Sequence, residues 1–379
     1  MADLGPNEPL IGVSGSRNRL TTPALVLDLD ILERNLTALL DQCAESGQKL
    51  RPHAKTHKSS QLAKRQIDAG AVGVCCATLH EAERMAAGGA SGILITSPIV
   101  GEGKIQRLQI LNDVSDNLMI VADNLDGLQT IEKSLRDVGG ELTVLVDIDV
   151  GMQRTGSNDP AQIVALASYL SESETLTYGG VQAYSGRVQH IEDYGERRDV
   201  YGAQMTFLAG VVKSLEDAGF QPKIISGGGT GTHHIDQELS LFTELQAGSF
   251  IFMDVEYNAV DLANGPTNPF ETALFVQCSV VSNNADNFFT IDGGFKCFAT
   301  DGPKPEVFSE NLPDASYDRF GDEHGKINLG SGNYKPALGE TVSLITPHCD
   351  PTVNLHNYYH GVRGDTLVEI LPIDGRGVL

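Results

Sequence analysis

The stretch from residue 24 to residue 55, "ALVLDLDILERNLTALLDQCAESGQKLRPHAK", decides the fold. It opens on a short apolar run, "ALVLDLD" (24–30), that reads as a strand. "ILERNLTALLDQCAES" follows with apolar residues at helical spacing, and "KLRPHAK" (49–55) reads as a second strand. Strand, helix and strand in succession form the unit from which parallel sheets are built. The unit recurs outward along the chain. "VGVCCAT" (72–78), "GILITSP" (92–98), "NLMIVAD" (117–123), "LTVLVDIDV" (142–150), "YGGVQAYSG" (178–186) and "KIISGGG" (223–229) are further strand candidates. Helical stretches such as "GAQMTFLAGVVKSLEDAG" lie between them.

Eight strands alternating with helices predict an α/β fold, an N-terminal (β/α)8 barrel over residues 21–265. An open doubly wound sheet is the competitor, but no Gly-x-Gly-x-x-Gly turn follows the first strand. After residue 265 the texture changes. "ETALFVQCSVVS", "NFFTIDGGFKCFA", "TVSLITPH" and "TLVEILPI" alternate as strands do, with turn residues between them. A mostly β domain is expected over 266–379, with residues 1–20 returning to it. No repeat or low-complexity linker separates the two domains, so close packing between them is expected.

Composition limits the partners. The 379 residues carry 27 Lys+Arg against 50 Asp+Glu, a formal net charge of −23. That charge argues against nucleic acid or an anionic membrane as a partner. No long apolar window suggests a membrane span, and "MADLGPNEPL" does not read as a signal peptide. The six cysteines are scattered without zinc-module spacing, which reads as reduced thiols in a cytoplasmic protein.

The chemistry begins at Lys55. Period-two alternation turns Arg51, His53 and Lys55 toward the barrel interior, with Lys55 at the carboxyl end of its strand, where barrel active sites collect. An inward lysine is costly unless it is neutral, paired or covalently bonded. A covalent bond to a carbonyl cofactor removes the cost, and neighbouring cations are expected to lower the amine pKa. A solvated Lys/His patch is the plain alternative. "SGGGT" (226–230) follows the last of the predicted barrel strands, where barrels often bind phosphate through backbone amides. Ser226 or Thr230 can add a hydroxyl donor, although most triple glycines are simple turns. A barrel-end lysine and a phosphate turn together suit pyridoxal 5′-phosphate.

The motifs "RPHAKTHK", "VGVCCAT", "DVGMQRTG", "GVQAYSGRVQH", "SGGGTG", "ELQAGSFIFMD", "DEHG", "PHCDPTVNLH" and "VRGD" occur in that order along the chain. With them the sequence resembles the D-threonine aldolase family of alanine-racemase-like pyridoxal-phosphate enzymes. The resemblance implies a (β/α)8 barrel, a C-terminal β domain and covalent attachment of the cofactor to Lys55. It also implies cofactor contacts from Arg154 and Tyr184, and a phosphate site at Gly228, Gly229, Thr230, Gly248 and Ser249. Ala77 and Ser185 depart from residues common in the family, a glutamine and a histidine respectively.

"PHCDP" sets His348, Cys349 and Asp350 in a row. In an extended segment His348 and Asp350 share a face while Cys349 points away. Imidazole and carboxylate suit Mn²⁺ or Mg²⁺, whereas a thiolate favours zinc. A proline-bounded turn with no metal is the alternative. The resemblance implies a divalent-metal pair at His348 and Asp350, the latter standing where related D-serine dehydratases have cysteine. The implied activity is retro-aldol cleavage of D-β-hydroxy amino acids of the D-threonine or D-allo-threonine type to glycine and an aldehyde. His57, His190 or a metal-bound hydroxide is the candidate base; His324 is unassigned, and His356 and His360 are read as surface or supporting groups. The alternatives are a 3-hydroxy-D-aspartate aldolase, a D-serine or D-3-hydroxyaspartate dehydratase, and a non-catalytic pyridoxal-phosphate-binding protein. The resemblance further implies a homodimer with shared active sites.

Overall fold

The computed structural model describes residues 4–136, 139–331 and 334–377. Strand β1 (Ala24–Asp28) leads into helix α1 (Leu29–Ser46). Asp28 stops the strand and caps the helix, its Oδ1 accepting from the amides of Asp30 (3.2 Å) and Ile31 (3.1 Å). The barrel strands follow: β2 (Lys49–Leu50), β3 (Val74–Cys76), β4 (Ile93–Ile95), β5 (Met119–Ala122), β6 (Leu142–Ile148), β7 (Leu176–Ala183), β8 (Ile224–Gly227) and β9 (Glu244–Leu245). They pair in parallel in the order β2-β9-β8-β7-β6-β5-β4-β3. A parallel bridge between His53 and Cys75 closes the ring, with Ala54 N–H donating to the Cys75 carbonyl at 2.7 Å. This is the eight-stranded α/β barrel that the alternation predicts.

Two strand assignments differ from the sequence reading. β1 is not a barrel strand: it lies in the second sheet, antiparallel to β10 (Leu274–Ser282) and parallel to β16 (Tyr358–Arg363). Ala24 to Leu27 are fully buried, and a central strand of either sheet produces the same unbroken apolar run. The eighth barrel strand is instead β9, two residues long and half acidic. Glu244 is tolerated inside because Arg51 meets it through two hydrogen bonds of 2.8 and 2.9 Å. The glycine turn therefore follows the seventh barrel strand, not the eighth.

The second sheet adds β11 (Phe288–Ile291), β12 (Glu306–Phe308), β13 (Ser316–Arg319), β14 (Gly325–Asn328), β15 (Thr341–Ile345) and β17 (Thr366–Pro372). Its order is β11-β14-β13-β12-β15-β10-β1-β16-β17, and β10 also pairs with β11. Six strands thus form a closed ring from which β1, β16 and β17 extend. β11 and β14 alternate buried and partly exposed residues, the period of a strand with one face in the core. The N-terminal segment returns to this sheet: Gly12 N–H donates to the Leu367 carbonyl and Ser16 Oγ accepts from Leu367 N–H, each at 2.8 Å. One apolar core runs through both sheets, from Leu25 and Leu27 to Leu371 and Ile373. No helix among the described residues is long and apolar enough to cross a membrane.

Candidate active site

The barrel interior is floored by a polar layer. Gln182 Nε2 donates to Asp147 Oδ1 (3.0 Å) and to the Thr96 carbonyl (3.2 Å), while Gln246 Nε2 donates to Gln182 Oε1 (3.1 Å) and Ser226 Oγ (2.9 Å). A cavity opens above this layer, lined by His53, Lys55, Thr96, Arg154, Tyr184 and Gln246, among others. The inward alternation of Arg51, His53 and Lys55 is realised, although the regular strand ends at Leu50. Lys55 N–H donates to His53 Nδ1 at 3.3 Å, so His53 carries its proton on Nε2, which donates to Thr96 Oγ1 at 3.2 Å. Burial and the Lys55 charge hold His53 well below its ordinary pKa, and it stays a neutral orienting group.

Lys55 itself is set differently from the expectation. Burial alone favours the neutral amine, but the Asp350 carboxylate beside it, with Tyr184, outweighs burial and raises the lysine pKa. The reason is tertiary: Asp350 is 295 residues away and belongs to the other domain. Arg154 lies over the Tyr184 ring, its Cζ 5.7 Å from the centroid.

The two glycine turns meet beside this lysine. Thr230 Oγ1 accepts from Phe250 N–H at 3.0 Å, tying the turn after β8 to the turn after β9. A Cβ on Gly248 would lie 2.4 Å from Thr56 Oγ1, so the second turn abuts the residue after Lys55 and tolerates no side chain. The amides of Gly228, Thr230, Gly248 and Ser249 donate to no acceptor among the described residues. Unpaired amides converging from two turns, three of them on buried residues, fit a phosphate group. These residues, with Lys55, Arg154 and Tyr184, fit pyridoxal phosphate.

The mouth of the cavity is charged. The segment expected to be extended at His348 and Asp350 is instead the start of a short helix, Cys349–Val353, with His348 at its N-cap. Face-sharing by strand alternation therefore does not apply. Asp254 enforces the turn: its Oδ2 accepts from Cys349 N–H at 2.8 Å and its Oδ1 from Tyr257 N–H at 2.9 Å, so one buried carboxylate caps two helices. Cys349 is buried, with its thiol pKa pushed up by desolvation. Asp350 stays ionised because Lys55 outweighs the burial that would neutralise it. His348 Nδ1 lies 2.9 Å from Asp301 Oδ2, leaving Nε2 without a hydrogen-bond partner among the described residues. No group of three or more metal-ligating side chains gathers among the described residues. An imidazole nitrogen and a carboxylate, fewer than the four protein ligands of a closed structural site, fit an open, hard-donor divalent site.

Two candidate bases part company. His57 is 1% exposed; it accepts from Ser59 N–H at 3.1 Å, and burial lowers its pKa to about 4. Its Nε2 approaches the Gln66 amide without a well-formed hydrogen bond. His190 remains open to the mouth, its side chain 41% exposed, with Nδ1 3.6 Å from Glu256 Oε2 and its ring against Tyr257 at 4.8 Å. Desolvation lowers its pKa, so it is a free base at neutral pH. His324 lies exposed in the turn between β13 and β14. His356 bonds the Cys297 carbonyl (3.0 Å), while His360 is buried against Asn7 (2.9 Å) and is not a surface group. Sequence reasoning missed Thr96, Gln182 and Gln246, which the inward alternation of their strands could have revealed. It also missed Glu256, Asp301 and Asp254, for which the sequence carries no local signal.

Comparison with known proteins bears on the whole chain. The alanine racemase N-terminal domain matches residues 27–256, and a serine dehydratase domain matches 273–362. A D-threonine aldolase from an Arthrobacter species is 36% identical over 98% of this chain and 95% of its own. A 3-hydroxy-D-aspartate aldolase from Paracoccus denitrificans is 33% identical, over 95% of this chain and 93% of its own. The crystal structure of D-threonine aldolase from Filomicrobium marinum superposes with a TM-score of 0.89 at 34% identity, covering 94% of this chain and 95% of that one. The chain is a lyase belonging to the D-threonine aldolase family.

Proposed function

We propose that this lyase cleaves D-β-hydroxy amino acids of the D-threonine and D-allo-threonine type to glycine and an aldehyde, using pyridoxal phosphate and a divalent ion, Mn²⁺ or Mg²⁺. The observation that carries the reading is the meeting of Lys55 with Asp350 at the mouth of the barrel, one residue beyond Cys349 and two beyond His348. Lys55, Arg154, Tyr184 and the four amides of the glycine turns would hold the cofactor; His348 and Asp350 would hold the ion. Bound pyridoxal phosphate supplies a sink for the electrons released when Cα–Cβ breaks, and a divalent ion acidifies the β-hydroxyl. His190 accepts the β-hydroxyl proton: its Nδ1 faces Glu256, its side chain stays 41% exposed, and its Nε2 has no hydrogen-bond partner among the described residues. His57, enclosed and a weak base, supports the lysine segment from behind.

The surroundings of the mouth favour a neutral substrate side chain. Glu256 and Asp301 flank His348, and Glu256 lies within electrostatic reach of Asp350. A second substrate carboxylate would meet like charge there, which favours the D-threonine type over 3-hydroxy-D-aspartate. Lys55 and His190 side chains stay 36% and 41% exposed in the single chain, which accords with a second copy closing the cleft in a homodimer. Six free, buried thiols accord with a reducing, cytoplasmic setting. The deciding experiment supplies D-threonine, D-allo-threonine, 3-hydroxy-D-aspartate and D-serine in turn, with cofactor and Mn²⁺, and identifies the products. Glycine with acetaldehyde is expected from the first two; pyruvate and ammonia from D-serine as the main products would replace the aldolase by a dehydratase.

A further inference from the structure

Behind the first glycine turn lies a carboxylate with no counter-charge among the described residues. Asp236 is 1% exposed on the helix His233–Leu239. Its Oδ1 accepts from Tyr201 Oη and its Oδ2 from Thr232 Oγ1, both at 2.8 Å. Thr232 Oγ1 in turn accepts from Gly229 N–H (3.1 Å) and Gln189 Nε2 (3.2 Å). Gln189 Oε1 accepts from Gly231 N–H at 2.8 Å. Because Thr232 has one hydroxyl proton and gives it to Asp236, its lone pairs are left to receive the Gly229 amide. The direction of the whole turn is thereby set from Asp236. The approach is close: a Cβ on Gly228, whose φ is +68°, would stand 2.4 Å from Asp236 Oδ2.

The groups around this carboxylate leave its charge unbalanced. From the helix Tyr194–Asp217 comes the Tyr201 hydroxyl, kept neutral by burial. From α1 comes the Cys43 thiol, raised to about 12 by desolvation and by Asp236 itself. On its own helix His233 is buried and neutral, lowered to about 3. Arg197, the cation on the same long helix as Tyr201, is turned to the carbonyls of Ile191, Glu192 and Asp261. Burial accordingly lifts the Asp236 pKa to about 7, against the pull of its hydrogen bonds.

We propose that Asp236 is the positioning residue of the anion turn, and that binding of the cofactor's phosphate is coupled to uptake of one proton by its carboxyl group. Protonated, Asp236 is neutral and still accepts a hydrogen bond on its carbonyl oxygen. Ionised, it sets a negative charge directly behind amides that must receive a second negative charge. The inference rests on the proposed placement of the phosphate at this turn. By linkage, a carboxyl group that takes up a proton on binding makes affinity fall by about tenfold per pH unit above its free-state pKa.

The test measures dissociation constants of pyridoxal phosphate and of pyridoxal, which lacks the phosphate, from pH 7 to pH 9. The ratio of the two isolates the phosphate once pyridoxal is corrected, at each pH, for the fraction closed on its own 5′-hydroxyl as a hemiacetal. In the wild-type protein the advantage of the phosphorylated form should shrink by roughly tenfold per pH unit over this range. In Asp236→Asn it should be flat, because a phosphate ester is already fully ionised above its second pKa of about 6. Tyr201→Phe removes a donor that stabilises the carboxylate, so it should move the onset of the decline to higher pH; this arm holds even if Asp236→Asn does not fold. A flat wild-type ratio, or the same decline in Asp236→Asn, would overturn the coupling. If Gly228→Ala and Gly248→Ala, whose added Cβ atoms displace the two turns, both leave the phosphate advantage intact, the phosphate lies elsewhere and the proposed placement falls with the coupling. If they abolish it while Asp236→Asn keeps the wild-type pH profile, only the coupling falls.

Discussion

The two sides of the cavity are built from opposite materials. On the anion side, the turns after β8 and β9 offer backbone amides, and the side chains behind them are enclosed. On the mouth side, His190, Glu256, Asp301, His348 and Asp350 offer charged or titratable side chains, several of them partly exposed. Amides held by short turns cannot change charge, so they suit a group that must stay bound through many turnovers. Exposed imidazoles and carboxylates exchange protons and ligands readily, as a group that meets each new substrate must. Lys55 stands between, on the barrel segment that touches both.

The largest effect is expected at that junction. Lys55→Ala should reduce turnover by about a thousandfold or more and remove the visible absorbance of the cofactor-loaded protein together. A Lys55→Ala protein that keeps its rate would place the covalent attachment elsewhere.

The next test separates the two sides. Chelation, or Asp350→Ala, should lower cleavage by roughly a hundredfold or more while the cofactor absorbance stays. Mn²⁺ should restore the chelated enzyme but not Asp350→Ala. Joint loss of metal and cofactor would mean that the sides are not independent.

His190→Gln should cost about a hundredfold in kcat. In the wild type, the acid limb of kcat/KM should fall below the ordinary imidazole pKa of about 6.5, because burial lowers the His190 pKa and protonation removes the base. An acid limb above that value, or one that survives His190→Gln, assigns the base to another group.

Asp254→Ala strips the acceptor from two buried amides, those of Tyr257 and Cys349, and should destabilise the fold by about 2 kcal/mol. It should also loosen Asp350, raising the metal concentration needed for half activity. Unchanged stability would show that other groups hold the mouth helix. The smallest change is expected from Glu256→Gln and Asp301→Asn. Each should improve kcat/KM for 3-hydroxy-D-aspartate relative to D-threonine by about fivefold, the size of one partly exposed like-charge contact. An unchanged ratio would remove both residues from the account of specificity.

The anion side was legible in the sequence and the mouth only in fragments. "SGGGT" announces its turn because the φ of +68° at Gly228 favours glycine whatever the distant fold, whereas "QAGS" stands out by its glycine although Gly248 is required by the approach of Thr56 from the lysine segment. The mouth draws on Lys55, His190, Glu256, Asp301 and Asp350, which no short pattern joins. Glu256 and Asp301 look like ordinary surface acids until Asp301 is found beside His348 and Glu256 beside His190.

By itself the sequence determined the alternation of strands and helices, the mostly β character after residue 265, and the lysine at the end of a barrel strand. Those properties follow from local periodicity, which reports how much of an element is buried and on which face. Tertiary structure decided what each element is buried against. "ALVLD" went to the second sheet because β10 and β16 flank it there, while "EL" became the last barrel strand because Arg51 pairs its acid. The charge of Lys55 was settled the same way. Neighbours along the chain are cationic and argue for a depressed pKa, but a carboxylate brought from the other domain stands closer and reverses the sign. Coulomb energy depends on separation in space, and the chain order does not contain it.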